Sequence, residues 1–364
     1  MIGQTFAQIV IVQGWAVTFF LTQCANVCSV DNMSISIKDI AEKANVSPST
    51  VSRALQNHPR ISEETRENIH ALALEMGYVP SEAARALVGK RTATIGVALP
   101  EFADPFYMGI LSGIEEVALA NNYELFVGSY NRDPQRERKL FDAFEEKRLT
   151  GLVIAGTQVD DAYLTRRRRS VPAVLVNQPG YPHAVMIDQR EGAFQATQHL
   201  IQLGHRRIAY IAHPSGSVSE QRRSEGYCRA LKESGVEPNP DHTVTGTGDI
   251  AGGVRAAQTL LAQDTPPTAI FCYNDRTAIG AIHALHQAGL RVPADVSVVG
   301  FDDLDIASYV TPPLTTVRQP NLALGRRAAS MLIALLRGET VVPKILHPEL
   351  VIRQSTGPCR KIIS

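Results

Sequence analysis

From residue 93 onward the chain alternates two apolar rhythms. Short β-branched or apolar runs fall at 93–99, 123–128, 151–155, 171–176, 207–212, 268–272 and 296–300. Stretches with apolar residues at helical spacing separate most of them. Continuous apolar runs suit strands covered on both faces. Strand–helix alternation therefore predicts parallel sheets with helices on either side. About 270 residues exceed one such sheet of ordinary size. Two similar lobes are predicted, with a ligand cleft at the carboxyl ends of the strands.

Residues 34–77 follow another pattern, three short helices. Ser36 stands three residues before Asp39, an N-terminal signal that opens a helix running to about Ala44. Ser47 is placed to cap the second helix, with Pro48 at its first position, where a missing N–H costs nothing. Ser62 is placed to cap the third, followed by Glu63 and Glu64, which the helix dipole favours. Ile69, Leu72 or Ala73, and Met76 recur at helical spacing, and Gly77 is a natural stop. From Pro80-Ser81 to Gly89, Ala83, Ala84, Ala86 and Leu87 supply good helix formers for only about two turns. So short a helix is marginal alone, so this stretch reads as a linker that becomes helical only when held.

Composition adds exclusions. The 364 residues carry 36 Lys and Arg against 36 Asp and Glu, with 44% hydrophobic residues. That excludes wholesale disorder, a polytopic membrane protein and a chain that holds nucleic acid by bulk charge. Five cysteines in this length form no disulfide framework. Cys24 and Cys28 lie in the N-terminal segment, and Cys228, Cys272 and Cys359 read as reduced, partly buried thiols. Residues 1–30 contain no charged side chain, and no Lys or Arg precedes Lys38. A secretory signal needs a positive region that is missing here. The apolar run from Phe6 to Leu21 is interrupted by Gln8, Gln13 and Thr18, and is short for a spanning helix. The expectation is a start assigned too early, with Met33 as the true one; a membrane tether and a disordered tail are the alternatives. Arg166–Arg169 reads as a solvated face or loop.

A helix, the tight turn Ala44-Asn45-Val46-Ser47 and a second helix form the helix-turn-helix arrangement. Its second helix presents its first residues to base edges in the major groove. Those residues are Ser47, Pro48, Ser49, Thr50, Ser52 and Arg53. Small hydroxyls reach phosphates or bases, and Arg53 suits bidentate contact with guanine. Against this stands charge. Eight Lys/Arg and seven Asp/Glu between Met33 and Thr92 leave the module without the usual basic footprint. A generic helical bundle remains open on the pattern alone.

The residues then resemble a known family. Ile37-Lys38-Asp39-Ile40-Ala41 and the run from Val46 to Leu55 resemble the headpiece of the lactose/galactose repressor (LacI/GalR) family. The likeness continues through residues 77–81 and 84–87, and through Leu203-Gly204-His205-Arg206-Arg207-Ile208-Ala209-Tyr210. It includes Asn274-Asp275, Val299-Gly300-Phe301-Asp302-Asp303 and Pro313-Leu314-Thr315-Thr316-Val317, covering residues 34–357. The resemblance implies an all-α helix-turn-helix headpiece and an α/β two-lobed core like periplasmic sugar-binding proteins, with parallel sheets and three crossovers. The expected division is 1–32 as extension, 33–80 as headpiece, 81–92 as hinge helix or linker, and 93–364 as effector and dimerisation core. Within the core, about 93–190 and 319–345 form one lobe, and about 191–318 and 346–364 the other. The implied partners are a palindromic double-stranded DNA operator, a small-molecule effector and a second copy of the chain. A cytoplasmic, nucleoid-associated protein is expected, with no membrane, metal or cofactor.

Residue by residue, Pro48, Ser49 and Arg53 sit where the family reads bases. Lys38, Ser47, Ser62, Thr65 and Tyr78 sit where it touches or frames phosphates. Ala84 and Leu87 fall in the hinge helix, with Leu87 at the leucine that wedges into the central base step. For the effector, the resemblance points to Arg223 and Asp302, to the aromatic Phe106, and to Asn177, Ser219 and Asn274. A carboxylate and a guanidinium facing one ligand suit vicinal hydroxyls. Three departures keep the ligand open. Asn177-Gln178 replaces an aspartate found in several members, Asp188-Gln189 replaces Asp-Asn, and Ser217 and Ser219 fill a variable loop. A sugar or sugar acid is expected, with a purine or nucleoside as alternative. No leucine heptads follow Thr356, so a dimer is expected. A sugar-binding protein serving transport would need export. An enzyme would need a motif such as G-x-x-x-x-G-K-[ST], G-x-G-x-x-G, G-x-S-x-G or H-E-x-x-H, and none is present. His199 and His205 read as surface or packing residues.

Overall fold

The computed structural model describes residues 35–55, 57–78, 94–160, 163–164, 171–214 and 216–359. These fall in two compact units. The first holds α1 (Ile37–Lys43), α2 (Pro48–Leu55) and α3 (Glu63–Glu75). Asp39 reaches back to the amide and hydroxyl of Ser36 at 2.6 and 2.8 Å, closing the start of α1. Asn45 turns the chain in the left-handed region at φ 53, which a short amide side chain tolerates. Ser47 and Ser62 accept from the Thr50 and Thr65 amides, capping α2 and α3. Gly77 ends α3 at φ 68. Ile40, Ala41, Val51, Ala54, Ile69 and Ala73 make the core, all small or medium side chains.

The second unit has two lobes. In the first, β1 (Thr94–Leu99), α4 (Pro105–Ala120), β2 (Glu124–Ser129), α5 (Pro134–Glu146), β3 (Gly151–Ala155), β4 (Ala173–Val176) and β5 (Ala184–Ile187) follow in order. The chain then crosses to α6 (Gln189–Gln202), β6 (Ile208–Ala212), α7 (Val218–Glu233), β7 (Thr243–Thr245), α8 (Ile250–Leu261), β8 (Ala269–Cys272), α9 (Asp275–Gln287) and β9 (Ser297–Val299). β10 (Thr316–Arg318) leads back to the first lobe through α10 (Asn321–Leu336) and β11 (Lys344–Leu346). A third passage returns the chain to β12 (Glu349–Val351), antiparallel to β10. The sheets run β11-β5-β4-β3-β1-β2 and β7-β6-β8-β9, with every pair parallel.

The seven apolar runs correspond to β1, β2, β3, β4, β6, β8 and β9 within two residues at each end. Five short strands escaped the pattern: β5, β7, β10, β11 and β12. Four residues or fewer give a two-residue period little to repeat, and β11 and β12 carry exposed Lys344 and Glu349. Their strand character comes from pairing. β4 begins at Ala173, just after Pro172, which lacks an N–H for the ladder.

Glycines bring helices together. A Cβ on Gly226 of α7 would collide with the carbonyl of Arg190 on α6. α4 and α10 meet equally closely, with Gly113 facing the Leu322 carbonyl and Gly325 facing that of Ile110.

Candidate functional site: a helix-turn-helix face and an interlobe cleft

On α2, Val51 and Ala54 are buried, while Pro48, Ser49 and Arg53 are exposed on the opposite side. Ser47 Oγ lies 2.7 Å from Ser49 Oγ and 2.8 Å from Thr50 Oγ1. Three hydroxyls therefore cluster at the amino end of α2, where the helix dipole is positive. Ser52 and Thr50 are half-buried beside them. Lys38 is exposed on α1. Ser62 pairs with Thr65 Oγ1 at 2.7 Å at the amino end of α3. Tyr78 packs on the small core, and burial pushes its phenol up, so it stays a donor. The structure thus places these ten candidates on one small unit. Ala84 and Leu87 lie outside the described residues, as do Cys24, Cys28, Arg166–Arg169 and the extension 1–32.

The second candidate site lies between the lobes of the larger unit. Phe106, Asn177, Ser219, Arg223, Asn274 and Asp302 all line one cleft. Arg223, on α7, is held on several sides. Its Nε donates to Gln189 Oε1 at 2.8 Å, and Nη1 donates to the Tyr273 carbonyl. Its guanidinium carbon lies 3.8 Å from the Phe301 ring centre and 4.4 Å from that of Tyr273. Nη2 points to Asp302 Oδ1 at 3.8 Å, an ion pair too long for a hydrogen bond.

Asp302 follows β9 at φ 130, and Asp303 at φ 57. Side chains rarely adopt either, and such strain persists only where the surroundings fix it. Here the Asp302 amide donates to Val317 O at 2.8 Å, and the Leu304 amide to Asp275 Oδ2 at 2.8 Å. Burial drives the Asp302 carboxyl well above the usual range, against the pull of Arg223.

The facing wall comes from the other lobe. Asp104 caps α4 by accepting from the Phe106 amide at 3.1 Å. Arg132 stands 3.7 Å from Asp104 and from Glu101. Phe106 meets Tyr107 edge-on at 5.3 Å. Gly156, at φ 60, takes a left-handed bend beside Tyr107, where a Cβ would also press on Pro100. Asn177 Oδ1 accepts from the Ile187 amide at 2.9 Å. Both groups of Asn274 are occupied, one capping α9 and the other donating to Gly248 O. Its bonds therefore shape the wall, although it borders the cleft.

The enclosed space beside Asp302 and Arg223 is roughly 70 Å³. An outer pocket of about 370 Å³ adjoins it and shares Asn177, Val218 and Ser219. Ligand pockets usually hold about 300 Å³ or more, a size the outer pocket reaches and the inner space does not. The sequence did not mark Asp104, Tyr107, Arg132, Tyr273 or Gln319 as cleft residues, and it marked Gln189 only as a departure from the family's Asp-Asn pair. Asp104 before Pro105 is a readable helix start; nothing local marks Arg132 or Gln319. His205 is buried, 3.0 Å from both Thr268 Oγ1 and Ser297 Oγ, and His199 lies 3.0 Å from Thr356 Oγ1. Both histidines are packing residues. Among the described residues, Cys272 is fully buried and Cys228 is exposed rather than partly buried, and neither is bridged. No helix among these residues is long and apolar enough to cross a membrane.

A helix-turn-helix unit followed by a two-lobed core with a central cleft defines a DNA-binding regulator built on a ligand-binding scaffold. Residues 36–81 match the bacterial regulatory proteins of the lacI family, and residues 197–356 match the periplasmic binding protein-like domain. The HTH-type transcriptional repressor CytR of Escherichia coli (strain K12) is 35% identical over 328 residues, 88% of this chain and 96% of that protein. The lac repressor dimer bound to operator and the anti-inducer ONPF superposes with a TM-score of 0.80 at 30% identity, over 89% of this chain and 99% of that one. The transcriptional regulator CelR–cellobiose complex superposes with a TM-score of 0.68 at 32% identity, over 88% and 99%. The chain belongs to the LacI family of DNA-binding transcriptional regulators. The relatives named are regulators, not enzymes.

Proposed function

We propose that this chain is a dimeric repressor that binds a palindromic operator and releases or tightens it on binding a sugar or sugar acid. The observation that carries the effector reading is the open Arg223–Asp302 pair. Its 3.8 Å gap leaves both partners short of a mutual hydrogen bond. A ligand hydroxyl accepts from Nη2 while donating to the carboxylate, and a neighbouring hydroxyl reaches Asn177 or Ser219. Phe106 offers an apolar face to a ring. The CelR relative holds cellobiose, and the lac repressor relative is a dimer on its operator; both support the reading.

On DNA, Pro48, Ser49, Thr50, Ser52 and Arg53 read bases. Lys38, Ser47, Ser62, Thr65 and Tyr78 contact or frame phosphates. Two headpieces address half-sites about one helical turn apart. Ala84 and Leu87 act in the minor groove, where an apolar wedge costs unstacking and gains a bend. Lobe movement around the ligand changes the spacing of the two hinge segments. A marginal hinge helix is lost for a few kcal/mol of differential binding.

Calorimetric titration of residues 33–364 with hexoses, disaccharides, sugar acids and nucleosides tests the cleft. The proposal expects a binder among the sugars or sugar acids whose affinity falls at least tenfold in Arg223→Ala and Asp302→Ala. A binder retained by both variants places the ligand elsewhere and contradicts it.

A further inference from the structure

Arg223 and Asp302 are joined by a second path. Arg223 Nε donates to Gln189 Oε1 at 2.8 Å, Gln189 Nε2 to Gln319 Oε1 at 2.7 Å, and Gln319 Nε2 to Asp302 Oδ1 at 2.5 Å. All four side chains are buried. The ring has a fixed polarity. A guanidinium only donates, so Gln189 must turn its oxygen to Arg223 and its amide to Gln319, which in turn presents its own amide to Asp302. Reversing either one sets like groups against each other, which is costly in a buried site.

The position of the two glutamines gives the ring a mechanical meaning. Gln189 opens α6 immediately after the passage from β5. Gln319 lies between β10 and α10, on the second passage. Its backbone is tied to Asp302 as well, its amide donating to Asp302 O at 3.3 Å. The third passage joins the first where the Asp188 amide donates to Leu346 O at 3.0 Å. Rotation of one lobe on the other bends the chain at these passages. It acts directly beside the Gln189–Gln319 bond, which joins the first passage to the second.

We propose that Gln189 and Gln319 form a hinge latch that holds Arg223 and Asp302 apart for a ligand hydroxyl and ties the lobe angle to the occupancy of that gap. They are positioning residues, and the inference rests on the cleft reading above. Without the two amides the guanidinium and carboxylate collapse together, and the hinge loses its preferred angle.

The test needs no ligand, so its failure is distinct from failure of the effector reading. Spin labels carried by unnatural amino acids at exposed Lys139 on α5 and Lys232 on α7 report the interlobe distance by pulsed electron resonance in the full chain. The wild type is expected to give one narrow distribution. Gln319→Met keeps side-chain length, removes both polar groups, and is expected to at least double its width. Gln189→Asn retains an amide too short to span and decides the matter if the first variant does not fold. A folded variant of either kind with the wild-type distribution overturns the latch.

Discussion

Asp275 offers a quantitative check on how the cleft is held. It opens α9 with no solvent exposure, accepting from the Leu304 amide at 2.8 Å and from the Thr316 hydroxyl. These bonds fix the strained turn that carries Asp302. Burial pushes its carboxyl from 3.8 up to about 6. The folded protein therefore binds this proton more tightly than the unfolded chain does. The favourable contribution is complete below about pH 3.8, falls as pH rises, and is gone above about pH 6. The interval corresponds to about 3 kcal/mol at roughly 1.4 kcal/mol per pH unit. Asp275→Asn keeps the shape and has no charge to bury. Its carbonyl accepts from Leu304 and its amide donates to Thr316. Wild type and variant should have similar stability near pH 4, and the variant should gain about 3 kcal/mol on the wild type by pH 7. Urea unfolding of the core at pH 4, 5, 6 and 7 measures this. Parallel stability profiles across that range would refute a buried, proton-holding Asp275.

Three further outcomes follow, two from the structure and the last from the proposed role of Leu87. His213 stands against the Tyr273 ring at 4.8 Å, and burial lowers it from 6.5 to about 4. Its contribution has the opposite sign, complete above about pH 6.5 and lost as pH falls toward 4, so His213→Phe should flatten the acid limb of the urea profile. Gly226→Ala forces α7 off the Arg190 carbonyl and should cost about 1–3 kcal/mol in urea unfolding; an unchanged midpoint would show that the helices can part freely. Leu87→Ala should weaken operator binding at least tenfold more than random-duplex binding in fluorescence anisotropy, and equal losses would remove the wedge.

The helices of the small unit were legible because their signals are local. Ser36 with Asp39, Ser47 before Pro48 and Ser62 before two glutamates each act within one turn. The longer strands were legible because burial on both faces leaves an unbroken apolar run, as in β1 and β3. β10 and β12 were not, since three residues acquire strand character only from their pairing partners, here each other and, for β10, the Asp302 segment. The same distinction governs the cleft. Asp302 and Arg223 were found through motifs shared with a family. Gln189 and Gln319 are separated by 130 positions and meet only after both lobes form. Nothing in either residue's neighbourhood signals the other. Asn274 shows the reverse limit: its strand-end position was readable, but its use as a helix cap and Gly248 partner was not.

If α2 reads bases in a dimer, the preferred DNA is a palindrome. A selection from random duplex DNA with purified residues 33–364, sequenced after several rounds at near-physiological salt, tests it most directly. An enriched inverted repeat with a fixed central step, lost when Arg53 is replaced by Ala, is the expected result. Retention of DNA without any enriched sequence, or an enriched site indifferent to Arg53→Ala, would contradict it.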